Sequence, residues 1–235
     1  MTMSDSPPSP NLPYWQVNIP PAFRTAECPD FLRNVSDKDR GIISTPDAEY
    51  VADSWEVVKQ KVAQNRLELF QRQPSDLRRY LAFTWKLRQD YGSIMNFILT
   101  HRLQWAPLPI TPRGSRPFEA VEEDVKVLRN DWPYGIDKRI VHLVVWTKFA
   151  LEEDPETGDL TDGARAEVDA YVRKAFAKLN PDHVIWFKNW AALKSVKSVE
   201  HFHVMLFDPD MDAVNEITHG DVPMCEKESE LRAES

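Results

Sequence analysis

The run from Val199 to Phe207 (Val-Glu-His-Phe-His-Val-Met-Leu-Phe) constrains the fold more than any other stretch of the chain. Successive strand residues point to opposite faces, so Phe202, Val204 and Leu206 share one face and His201, His203 and Met205 the other. The first set suits a layer packed on a helix. The second aims two imidazoles at the opposite, open face, where one can serve as nucleophile or general acid/base while the other orients it. On its own, His-x-His also fits a metal site or an ordinary half-buried histidine pair.

The residues upstream supply the rest of that layer. Val125 to Arg129 and the β-branched run Ile140 to Thr147 read as strands, with Asp131-Trp132-Pro133-Tyr134-Gly135 as the turn between them. Thr161 can cap a helix to about Leu179, with Ala164, Val168, Tyr171, Val172 and Phe176 on its inner side. Val184 to Lys188 is a further strand. Strand, strand, helix, strand, strand predicts an α+β domain over 117–207, an antiparallel sheet with a packed helix. Ahead of it the period is helical over 51–116. One helix runs from the capping-box spacing at Asp53-Ser54-Trp55-Glu56 to about Gln71, a second follows Pro74 with Ser75 as cap, and a third spans Ser93 to Leu103. Prolines punctuate residues 1–50, read as an extended arm, and acidity rises over 208–235, read as a loose tail.

Charge divides the chain in the same way. The total is -8, yet Lys59 to Arg116 holds eleven basic against three acidic residues, a local net of +8. Phosphates respond to local charge, so this middle can hold a polyanion despite the acidic total, with Arg78, Arg79, Lys86 and Arg88 as the first choices. A solvated helical face is the plainer reading of such a run. No apolar window is long enough to span a bilayer, and the first residues lack a signal-peptide pattern, so the cytoplasm is expected. Cys28 and Cys225 suggest neither a disulfide framework nor a cysteine zinc site. No cofactor, metal, membrane or DNA is indicated, and oligomeric state is open.

The run Ser198-Val199-Glu200-His201-Phe202-His203-Val204 resembles the last strand of the histidine-triad superfamily, and the element order over residues 120 to 207 resembles that fold. The resemblance implies His203 as nucleophile. Met205 stands where the superfamily carries its third histidine, which contacts transferred phosphate, so the sequence departs from the pattern nucleotide hydrolysis needs.

Four phrases spread over nearly the whole chain resemble the fungal N-acetylglucosamine-induced protein family: Leu12-Pro13-Tyr14-Trp15-Gln16-Val17-Asn18, Glu27-Cys28-Pro29-Asp30-Phe31-Leu32, Asn130-Asp131-Trp132-Pro133-Tyr134-Gly135 and Trp186-Phe187-Lys188-Asn189-Trp190. With that family are associated the arginine-containing cyclodipeptide synthases, which condense arginyl-tRNA with a second aminoacyl-tRNA to a diketopiperazine in secondary metabolism. An aminoacyl ester is already activated, so the absence of a G-x-x-x-x-G-K-[ST] loop fits that chemistry. The resemblance then implies an acyltransferase in which His203 accepts the acyl group or deprotonates the attacking amine, with His201 orienting it. Asp131 or Glu200 would pair with the arginyl side chain, since a carboxylate meets a guanidinium with two hydrogen bonds. Lys188 and Asn189 can donate to an oxyanion. Ser195 or Ser198 can act as acyl acceptors, though loop serines more often form turns. Trp186 and Trp190 are core or stacking platforms. His142 and His183 can join His201 and His203 around a metal, a reading placed behind metal-free catalysis. The alternatives are a histidine-triad-type nucleotidyl hydrolase or transferase, and a non-catalytic nutrient-response protein.

Overall fold

A computed structural model describes residues 12–190 and 199–227. The chain divides into two compact units, one made of residues up to Val51 together with Arg72–Lys86, the other of Ala52–Gln71 and Leu87 onward.

The first unit has its own core. Leu32, Ile43 and Leu77 are buried, with Tyr14, Phe31, Ile42 and Tyr80 packed around them. Residues read as an extended arm here include α1, Asp37–Ile43, capped by Ser36, whose hydroxyl accepts from Asp39 N. Short 3₁₀ turns at Tyr14–Gln16, Pro21–Phe23, Asp30–Leu32 and Asp47–Glu49 follow the prolines, which sit where a helical N–H would have no partner. Proline spacing marks these turns but hides that they fold onto Leu77.

The second unit carries the sheet. Strands β1 (Val125–Arg129), β2 (Ile140–Thr147), β3 (Val184–Phe187) and β4 (Glu200–Phe207) form a four-stranded antiparallel sheet in the order β1-β2-β4-β3. Leu143, Val145, Phe202, Val204 and Leu206 pack on α6 (Asp162–Ala175) through Ala164, Val168, Tyr171 and Val172, as the alternation predicts. Thr161 caps α6, accepting from Ala164 N at 3.2 Å. Phe202 is fully buried here, a side chain whose removal from water is worth ~1.5–3 kcal/mol.

The histidine face is not open. Helix α2 (Trp55–Ala63), capped by Ser54, and the turn Leu67–Leu69 bring Trp55, Val58, Leu67 and Phe70 over Ile140, Phe187 and Met205. A second cover comes from a short helix, Ile94–Phe97, that continues as the π-helical turn Ile98–Leu103, placing Leu99 and Leu103 on Leu128, Val144 and Trp146. With both faces covered, β2 is buried at every position but Val141, which explains its continuous apolar stretch Leu143–Trp146.

Two further segments depart from their sequence readings. The helix after Pro74 is long, Pro74–Tyr91, and Trp85 on it is exposed at 39% rather than buried. The region read as a loose tail contains the helix Met211–Thr218, which contributes Val214 to the core. After it, Asp221 returns to the sheet edge and accepts from Arg129 N at 2.9 Å.

Candidate functional site

Between the two covers on the sheet face lies a line of polar side chains. His142 on β2 and His203 on β4 are 4% and 6% exposed, and their rings meet at 3.0 Å, Nε2 of the first to Nδ1 of the second. The antiparallel register sets His142 opposite Met205 and His203 opposite Val144, so the two histidines are diagonal neighbours on one face. Asn130, just after β1, brings its amide nitrogen to 3.3 Å from His142 Nδ1 and 3.2 Å from Nε2, while its oxygen accepts from Trp132 N. At the far end the Asn189 amide lies 3.1 Å from His203 Nε2. The result is a buried chain, Asn130–His142–His203–Asn189. Phe187 stacks on the His203 ring at 5.0 Å, and Tyr134 lies against His142.

Such a chain can move a proton. His203 Nε2 accepts from the Asn189 amide and its Nδ1 shares a proton with His142 Nε2, so positive charge taken up on His203 can be spread over the two rings. His201 does something else. Its Nδ1 donates to the Val199 carbonyl at 2.9 Å and its ring lies on Trp146, while His142, not His201, makes the hydrogen bond to His203.

Asn189, at one end of this chain, also lines a cleft together with Lys188. A small cleft of about 50 Å³ is lined by Asn65, Asp159, Lys188, Asn189 and Trp190. A larger one of about 290 Å³ shares Asn65, Asp159 and Lys188 and extends along Val62, Arg165 and Trp186. Lys188 is buried and pairs with Glu153, and Glu200 Oε1 stands 3.8 Å from its Nζ.

Residues 54–207 match the family described as "Protein of unknown function (DUF3605)". The chain belongs to this family. A DUF3605 chain of this kind is 26% identical over 185 residues to the N-acetylglucosamine-induced protein 1 of Candida albicans, covering 71% of this chain and 73% of that protein. It is 29% identical over 160 residues to an uncharacterised protein of Saccharomyces cerevisiae, covering 66% and 79%. Among solved structures, the crystal structure of HTC1 superposes with a TM-score of 0.59 at 25% identity, covering 73% of this chain and 99% of that one.

Several residues singled out from the DUF3605 sequence fall elsewhere. Asp131 is not available to a substrate guanidinium. It accepts from Arg102 Nε at 3.0 Å and from Met224 N at 3.0 Å. Burial pushes its carboxyl up, and the Arg102 guanidinium beside it is the main force holding it down. Arg102 also grips Asp221 with two hydrogen bonds of 2.8 Å. Glu200 is turned toward Lys188 and accepts from His201 N. The Lys188 ammonium, expected to face an oxyanion, is held by carboxylates instead. Trp186 points to the α6 side, where its Nε1 donates to Asp169 at 2.7 Å. Ser195 and Ser198 lie outside the described residues. His183 sits in a turn against Phe207, and among the described residues no group of three or more His, Cys, Asp or Glu is placed to hold a metal ion.

The four basic residues of the long helix split by role. Arg78 donates to the Trp15 carbonyl at 2.8 Å and lies over Phe31, and its burial lowers its pKa. Arg79 pairs with Asp76. Lys86 and Arg88 are exposed. No helix among the described residues is long and apolar enough to cross a membrane.

His142, read from the sequence as a possible metal ligand with His183, His201 and His203, instead bonds His203 directly. A signal for it existed: His142 falls on the same parity as Val144 and Trp146 in β2, the parity that faces His203 once the two strands pair.

Proposed function

We propose that this DUF3605 protein is a cytoplasmic tRNA-dependent acyltransferase that condenses arginyl-tRNA with a second aminoacyl-tRNA to a cyclic dipeptide, with His203 as the central base. The observation that carries the reading is the buried chain Asn130–His142–His203–Asn189, whose last residue lines a small cleft. On this reading the amine of one aminoacyl group attacks the ester carbonyl of the other, forming a C–N bond and breaking the C–O bond to the tRNA ribose. His203 takes the amine proton and returns it to the departing ribose oxygen, with His142 sharing the positive charge in between. A second attack of the same kind closes the ring. Exposed Lys86 and Arg88 are the tRNA contacts of choice, since phosphate binding needs charge that solvent can reach. The same reading takes the sheet as histidine-triad-like, with Met205 at the third position, wholly buried under α2 where no phosphate can meet it.

The test is expression of the full chain in a bacterial host, which supplies charged tRNAs, and mass spectrometry of the medium for cyclic dipeptides containing arginine. Product that disappears in His203→Ala and falls in His142→Ala supports the reading. Well-folded protein that yields none overturns it.

A further inference from the structure

We propose that the small cleft beside His203 is an ammonium site, which receives the α-amino group of an aminoacyl ester, and that Asn189 and Asp159 hold it. The identity of the ester rests on the acyl-transfer reading above; the site itself rests on three observations. Asn189 is 5% exposed, and its Oδ1 is buried with no hydrogen-bond partner among the described residues, although its amide nitrogen reaches both His203 and Tyr134. A buried acceptor left without a donor loses the hydrogen bond that water would give it, so a ligand bearing N–H groups gains most by supplying one.

The second observation is Asp159, which lines the same cleft. Its Oδ1 accepts from Leu160 N at 2.7 Å and from Arg165 Nη2 at 3.0 Å, while its other oxygen has no partner among the described residues. The pair with Arg165 is about 45% and 42% exposed on its two sides and therefore weak. Arg165 has a second seat over the Trp186 ring, 5.6 Å from its centroid, so Asp159 can turn to a ligand without stranding a buried charge.

The third is the balance of charge. Of the charged side chains that line the two clefts, Asp159 stands with Lys188 and Arg165, and behind the lining Lys188 pairs with Glu153 and lies 3.8 Å from Glu200. With Lys188 held by those carboxylates and Arg165 able to seat on Trp186, Asp159 is the charged group of the cleft lining left to meet a ligand, and a carboxylate favours a cation. About 50 Å³ admits an ammonium group and the carbon that bears it, and the larger cleft that shares Asn65, Asp159 and Lys188 leaves space for the rest of the ligand.

Alanine methyl ester and its N-acetyl derivative, titrated into the ¹⁵N-labelled full-length chain, test this directly. The probe signal is the Asn189 side-chain amide, assigned by its loss in Asn189→Leu. The free ester should shift that signal saturably and the acetylated ester should not. Asp159→Asn should weaken the free ester at least tenfold, and Asp159→Glu, which keeps the carboxylate and controls for folding, should stay within about threefold. Equal shifts by the two esters, or undiminished binding in Asp159→Asn, would overturn the site. Because the titration uses neither tRNA nor turnover, ammonium-selective binding in a protein that makes no cyclic dipeptide would refute the synthase reading alone. Product formation with equal shifts would refute only the ammonium site.

Discussion

Replacing Arg102 by methionine should destabilise the protein strongly, and more so at neutral than at acid pH. Arg102 keeps only 7% of its surface, and its guanidinium makes contacts of 2.8 to 3.0 Å with both Asp131 and Asp221. Methionine fills a similar volume without charge, so the change isolates the loss of the cation. Two largely buried carboxylates then stand without a counter-charge, and breaking a buried ion pair from one side costs ~3–5 kcal/mol. With a urea slope of roughly 1–3 kcal/mol per molar, the unfolding midpoint should drop by about 1–5 M. The pH dependence follows from Asp131, whose carboxyl is already raised by burial and is held down mainly by Arg102. Without Arg102 it rises further. A carboxyl whose pKa is higher folded than unfolded binds its proton more readily in the fold, so its penalty is full at neutral pH and fades as pH falls through the raised value. Urea melts followed by tryptophan fluorescence at about pH 7.5 and about pH 5 would read both effects. The combined change Arg102→Met, Asp131→Asn, Asp221→Asn should recover much of the loss at pH 7.5. A midpoint drop below about 0.5 M, or a deficit that does not narrow at pH 5, would show that Arg102 is not what holds these carboxylates in the fold.

Other expectations are shorter. Phe202→Ala, at a fully buried position on the α6 face, should cost ~3–5 kcal/mol in the same urea assay. His142→Ala should lower cyclic dipeptide yield by ~10²-fold while costing ~1–3 kcal/mol, because it leaves His203 Nδ1 without its partner. Charge reversal at Lys86 and Arg88 together should weaken tRNA binding and flatten its salt dependence, measured by filter binding. Arg78→Ala should instead lower the melting temperature, since Arg78 holds the Trp15 carbonyl and covers Phe31.

The sheet was legible because its strands carry their own signals. The alternation in β4 and the β-branched run in β2 place both strands and both faces, and Thr161 marks the start of α6 through its cap. The covered histidine face was not legible. Its covers, α2 and the π-helical turn, come from far upstream, and an amphipathic helix announces an apolar face without naming the surface it will meet. Arg102 shows the same limit from the side of charge. It counts as one more basic residue in a positive stretch, while its place between the buried Leu99 and Leu103 turns it inward onto Asp131. That pairing removed Asp131 as a substrate contact, and only the fold could supply Asp221 from the chain's far end. Within the site, Asn189 beside His203 was within reach of sequence because Asn189 follows the end of β3, and the neighbouring strand β4 carries His203. The direct His142–His203 bond required the register between β2 and β4.

The central claim is that His203 serves as the base of an aminoacyl-transfer site. Purified protein supplied with arginyl-tRNA charged with labelled arginine, plus a mixture of other aminoacyl-tRNAs, should convert the label into a cyclic dipeptide resolved by mass spectrometry. Labelled product is expected with the wild-type chain and none above background with His203→Ala at equal folded concentration. Undiminished product from His203→Ala, or no product from folded wild type, would contradict it.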